Sequence, residues 1–197
     1  MDSIDDFINS INIFDLLAIG GLVGMFVLGF VQGVIRRLIG ILSVTFSFVL
    51  AANVRGPLGD FLARNWTQFP ADYSRMIGFG VVFGVLVIGL ALIAQVYYKP
   101  ALLWPKMPLL EDTVGGFLGV VQGIVLLMAI IVITDPYFRD AGAPAASELP
   151  FIRGFHDLMI GSATLGLFRD SLIPGFINLF GPFIPDLVKQ SFPGRGT

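Results

Sequence analysis

Gln32 and Gln122 sit at the centre of two near-copies of one heptapeptide, GFVQGVI from Gly29 to Ile35 and GVVQGIV from Gly119 to Val125, each inside an uncharged run. A buried amide without a hydrogen-bond partner is costly, so each must find one. Two kinds of chemistry fit. The first is structural, an amide bonding across to another helix for about 0.6–2 kcal/mol in lipid. The second is functional, two amides that line a polar path or grip a partner. The other candidates are few. Asp15 stands at a helix mouth, where a carboxylate is solvated or caps, Asp112 precedes an apolar run, and Ser43, Thr45, Ser47, Asn53 and Gln95 lie within apolar runs. Proton and ion pathways use intramembrane carboxylates or histidines. The single histidine, His156, falls on an amphipathic segment and is expected at an interface. No Ser-His-Asp spacing, metal-ligand cluster or phosphate loop emerges, so the expectation is a non-enzymatic chain with no cofactor and no metal. The absence of cysteine excludes disulfides and thiolate chemistry.

The elements that must carry these residues are membrane spans. Hydrophobic residues make up 55% of the 197 and charged residues 13%, more apolar material than a soluble domain of this length needs for its core. Four stretches, Leu16 to Ile35, Leu38 to Val54, Met76 to Tyr98 and Thr113 to Thr134, contain no Asp, Glu, Lys or Arg. Each meets the length of roughly 17 to 25 apolar residues that marks a helix crossing about 30 Å of hydrocarbon. The fold class is therefore all-α, a polytopic membrane protein with four transmembrane helices, spans about 14–35, 36–54, 75–98 and 113–134, in a domain of residues 1–136. Residues 137–197 are expected to form an amphipathic, membrane-associated C-terminal tail of short helices, split at Gly181, Pro182 and Pro185. The acidic flank MDSIDDF is unlike the basic start of a signal peptide, so the first run is expected to stay as a mature helix.

Arg36 and Arg37 divide the first two runs. At bilayer depth each guanidinium would cost about 2.5–3.5 kcal/mol, so they belong at an interface, and the chain must reverse between Gly29 and Arg37. The first two helices then form an antiparallel hairpin. The segment Arg55 to Arg75 mixes apolar and charged residues and suits a short amphipathic piece at the headgroups, with Trp66 and Tyr73 as anchors. Asp112 and Thr113 are expected to start the fourth helix. Lys and Arg are divided between the two sides, with Arg36, Arg37, Lys99 and Lys106 opposite Arg55, Arg64, Arg75 and the tail arginines.

Gly29 and Gly33, and likewise Gly115, Gly119 and Gly123, share helix faces at four-residue spacing, as do Gly20 with Gly24 and Gly80 with Gly84. Small residues in this register let helix backbones approach closely in lipid. If the first heptapeptide opens the second helix, the two copies lie in parallel helices on one side of the membrane, as in a duplicated hairpin. The expected partners are the lipid bilayer and other membrane proteins or a second copy. A net charge of −2 without a basic tract argues against nucleic acid.

The stretch FDLLAIGGLVGMFVLGFVQGVIRRLIGILS, Phe14 to Ser43, resembles the opening of the colicin V production protein (CvpA) family, with an early Asp, a glycine-rich helix, a turn and a second helix. MPLLEDTVGGFLGVVQG, Met107 to Gly123, resembles that family's second signature, and SLIPGFINLFGPFIPDL its Ser- and Pro-punctuated ending. The resemblance implies a multi-pass protein of the bacterial inner membrane, associated with colicin V production or export and with envelope homeostasis, while the close-packing glycines, the amphipathic tail and the lack of a catalytic set lead us to expect a non-enzymatic scaffold or accessory subunit. A small channel or transporter with a polar path through Gln32, Gln122 and Asp15 is the alternative. The sequence departs from the family where it carries Gln32 and Gln122 in place of arginine, and Thr113 in place of a basic residue after Asp112. Positive charge near the first turn is left to Arg36 and Arg37.

Overall fold

The computed structural model describes residues 12–97, 102–104, 106–140 and 148–192, and among them there are helices and connecting turns but no strand. Four helices are long and apolar enough to cross a membrane: α1 (Ile13–Gln32), α2 (Val34–Asn65), α3 (Ala71–Tyr97) and α4 (Pro108–Asp140). After them come α5 (Pro150–Met159), α6 (Ala163–Leu167), one π-helical turn (Phe168–Leu172), α7 (Ile173–Phe180), a 3-10 turn (Gly181–Phe183) and α8 (Asp186–Ser191).

The reversal between α1 and α2 takes a single residue. Gly33 has φ +75° and ψ 175°, a conformation closed to residues with a side chain, and its N–H donates to the Gly29 carbonyl at 3.0 Å. This is why α1 ends at Gln32 and not at residue 35, and why the first heptapeptide straddles the turn, its Gln32 closing α1 and only Val34 and Ile35 beginning α2. Its copy in α4 therefore runs antiparallel to it. The hairpin is real in direction but open in shape, because α4 lies between α1 and α2, with α3 packed on the far side of α2.

Two expected boundaries move for a common reason. Residues 55–65 continue α2 as helix through Pro57, and α4 runs through Pro136 to Asp140, past the expected end at 134. A proline inside a helix removes one hydrogen bond and crowds the preceding turn, and here packing outweighs that. Arg75 of α3 binds Asp60 of α2 at 2.8 Å. Beyond Pro136, the Tyr137 ring lies 5.3 Å from that of Tyr73, and Phe138 stacks on His156 at 4.9 Å. A helix of 32 or 33 residues is about 50 Å long, well over the hydrocarbon thickness. The ends of α2 and α4 farthest from Gly33 accordingly project beyond the bilayer.

Those projecting ends carry the tail, which shares the bundle's core. Met159, Ile173 and Val188 are fully buried in one cluster with Phe48, Phe79 and Ile131, and the Phe176 ring packs edge-on against Phe48 at 5.7 Å. Other tail side chains, such as Phe151, Ile160, Leu167 and Leu179, remain exposed. Along the spans, exposed Leu16, Val23, Val31, Leu42, Val85 and Leu92 give the lipid-facing surface. The side of Gly33 is called the turn side below, and the opposite one the tail side.

Candidate functional site

The site begins with the glycines that let α1 and α4 touch. A Cβ on Gly119 would fall on the Met25 carbonyl oxygen, and one on Gly115 would stand 2.6 Å from the Gly29 carbonyl oxygen and 3.0 Å from Gly33 Cα. Gly123 lies against Leu22 and Met25. The two heptapeptides thus lie along one backbone-to-backbone seam and touch each other at Gly29 and Gly119. Gly20, Gly24 and Gly84 have no such neighbour within 4 Å, so the same spacing is used at one face and idle at others.

At the turn end of the seam stands Glu111, 1% exposed. Its Oε1 accepts from the Val34 N–H at 3.1 Å, and its Oε2 from the N–H groups of Leu103 and Trp104 at 3.1 and 3.0 Å. This carboxylate ties the start of α2 to the segment before α4. It, and not Asp112, is the acid at the helix entry. α4 starts at Pro108, a residue suited to a first turn because it lacks an N–H, which places half-buried Asp112 inside the helix and puts Glu111 in the first turn, where it caps α2 at Val34.

One helical turn or more into the bundle, a cavity of about 190 Å³ opens between the helices, with Gln32 from α1, Arg36, Arg37 and Ser43 from α2, Gln95 from α3 and Gln122 from α4 on its walls. Arg37 is 5% exposed. Its Nη1 donates to Gln122 Oε1 at 2.9 Å, while its buried Nε has no acceptor among the described residues. Gly40 makes this bond possible, since a Cβ there would stand 2.6 Å from Gln122 Oε1. Both glutamines therefore face one polar space, and Gln122 also bonds across to another helix. The positive charge at this turn is drawn inward by Arg37, while Arg36 stays exposed.

Asp15 does not join them. It lies 17 positions before Gln32 on α1, about 25 Å away along the axis. Its carboxylate accepts from the N–H groups of Ala163 and Thr164 at 3.0 and 2.8 Å and so caps α6. Beside it, Asn12 accepts from Phe14 N–H at 2.7 Å and donates to the Ile160 carbonyl at 3.2 Å. The start of α1 is thereby clamped to the tail.

A second polar cluster lies on the tail side. Asp135 is completely buried, accepts from Arg169 Nε at 3.0 Å and from its Nη2, and faces His156 Nε2 at 3.4 Å and Arg139 Nη1 at 3.9 Å. His156, expected at an interface, is 4% exposed. The amphipathic face of α5 turns its polar His156 inward and away from any interface, where the Asp135 carboxylate and the Phe138 ring receive it. Nearby, Glu148 accepts from Tyr137 and from Arg153, both at 2.6 Å, and this bond holds the Arg153 guanidinium above its ordinary pKa. Asp135, His156 and Arg169 are 21 and 34 positions apart, so no local spacing reveals them. Glu111 did leave a signal, a proline followed three residues later by an acid.

A family model described as colicin V production protein matches residues 14–148, more than two thirds of the chain. No curated protein and no solved structure matches it.

Proposed function

The chain belongs to the colicin V production protein family, and from that membership we propose that it works as a non-enzymatic scaffold or accessory subunit of the bacterial inner membrane. In this role it holds other membrane proteins, or a second copy of itself, that serve toxin production or export and the upkeep of the envelope. One observation carries the reading: the buried charged groups are gathered at the two ends of the bundle and separated by packing that is apolar apart from the Ser47 hydroxyl. Arg37 and Glu111 lie toward the turn side, Asp135 and His156 on the tail side, and Val44, Phe48, Phe83 and Met128 fill the core between. Such a partition suits a framework better than a conduit, since a conduit needs polar groups along its length. A photo-crosslinker at Leu28, which is exposed on α1, tests the reading at native expression levels. A covalent adduct with a membrane protein or a second copy is expected, and monomer alone would count against it.

A second reading is favoured by the shared cavity of Gln32 and Gln122. This is a small channel or transporter, with Asp15 outside its path. Purified protein in liposomes decides. Flux of ions or small solutes that Gln32→Leu alters would favour transport, and sealed vesicles under varied gradients would remove it.

A further inference from the structure

The turn-side cavity contains a guanidinium that the described residues answer only in part. Arg37 is more than nine-tenths buried, and of its donors one Nη1 bond reaches Gln122 while the buried Nε has no acceptor among the described residues. Neither Asp nor Glu stands among the residues lining the cavity, although Arg36 adds a second positive charge there. The nearby carboxylate, Glu111, is engaged with three backbone N–H groups. A buried cation without a counter-charge is costly in or near a bilayer. The space beside it is too large to be a packing defect, several times the ~30 Å³ that a water occupies. Its remaining polar walls are Gln32, Ser43 and Gln95, amides and a hydroxyl able to donate. The start of α2, three residues before Arg37, adds the positive end of a helix dipole.

We propose that this cavity binds a phosphate group, held by Arg37 with Arg36 at its rim and by the donors of Gln32, Ser43 and Gln95. A guanidinium with free N–H groups matches tetrahedral oxyanions well, and charge-assisted bonds to phosphate are among the strong ones. The phosphate has two sources, the headgroup of an anionic phospholipid or a free phosphate. The α3 wall suits the first. Gln95 is exposed, and Leu92 and Val96 beside it present apolar side chains outward, where acyl chains would run. The proposal is independent of the scaffold reading, since a bound headgroup is compatible with either a framework or a conduit.

The test uses the full chain purified in a neutral detergent, with phosphatidylglycerol, phosphatidylcholine and inorganic phosphate as separate probes. Native mass spectrometry reads retained lipid and thermal unfolding reads stabilisation. Phosphatidylglycerol is expected to be retained and to raise the unfolding midpoint, whereas phosphatidylcholine is not. Arg37→Gln and Gln95→Leu should each weaken that binding about tenfold or more. Stabilisation by inorganic phosphate, lost in the same variants, with no preference for phosphatidylglycerol, supports the proposal and assigns the free anion as the source. Gln95 lies on the exposed end of α3, so Gln95→Leu decides the matter if Arg37→Gln does not fold. Without such phosphate dependence, equal retention of the two lipids, no effect of either anionic probe on folded wild-type protein, or undiminished binding to folded variants overturns the proposal.

Discussion

At the residue scale, glycines of identical spacing separate into those that bear on packing and those that do not. Gly119→Ala puts a methyl group onto the Met25 carbonyl, a backbone atom that cannot rotate away, and is expected to cost about 1–3 kcal/mol or more. Gly24→Ala meets nothing within 4 Å and should be neutral or slightly stabilising, because alanine is the better helix former. Thermal unfolding of the two variants in detergent checks this; equal midpoints would contradict the close-packed seam. Asp135 offers a second case. Asp135→Asn removes the charge that faces Arg169, Arg139 and His156 and should destabilise by about 2–3 kcal/mol, as hydrogen bonds to charged groups do. Asp157→Asn, on the exposed face of α5, should leave the same denaturation curve almost unmoved.

At the scale of elements, helix ends matter more than helix interiors. Each of the two clamps joins segments far apart in sequence through a carboxylate on backbone N–H groups: Glu111 on Val34 at the turn side, Asp15 on Ala163 and Thr164 at the tail side. Removing the second clamp with Asp15→Ala is worth about 0.5–2 kcal/mol for a lost cap. α6 has only 5 residues, so the loss should be felt locally. Hydrogen exchange should quicken at amides 163–165 and stay unchanged in the middle of α4; uniform acceleration, or none, would show that the clamp does not hold this element. The extensions of α2 and α4 through Pro57 and Pro136 illustrate the same point. Local preference favours ending those helices there, and contacts with α3 and α5 keep them going.

For the whole molecule, the helix directions fix which residues share a membrane face. The Gly119–Met25 and Gly115–Gly29 approaches make α1 and α4 antiparallel, and Glu111 on Val34 with Gln122 on Arg37 makes α4 and α2 parallel. α3 opposes α2, as Arg75 meets Asp60 and Phe83 meets Phe48. Asn65 and Lys106 must then lie on opposite faces. The chain has no cysteine, so Asn65→Cys and Lys106→Cys can be labelled singly in sealed vesicles with a membrane-impermeant maleimide. Each should react from one side only, and from opposite sides. Labelling of both from the same side would refute the four-span arrangement, and the result also fixes which face carries the tail.

Four uncharged runs, each long enough for a bilayer, were sufficient to determine four spanning helices, because apolar length is a local property and lipid admits few other structures. The glycine spacing marked surfaces capable of close approach, and Arg36 with Arg37 marked a reversal nearby. Which glycine faces meet is another matter. Gly29 found Gly115 while Gly24 found nothing among the described residues, because a seam needs two surfaces and a sequence displays them one at a time. The inward turn of Arg37 onto Gln122, the burial of Glu111, and the gathering of Asp135, His156 and Arg169 were likewise settled only by tertiary structure. A charge is stable inside such a protein only where several distant groups converge on it, and convergence is a property of the packed helices and not of any one segment.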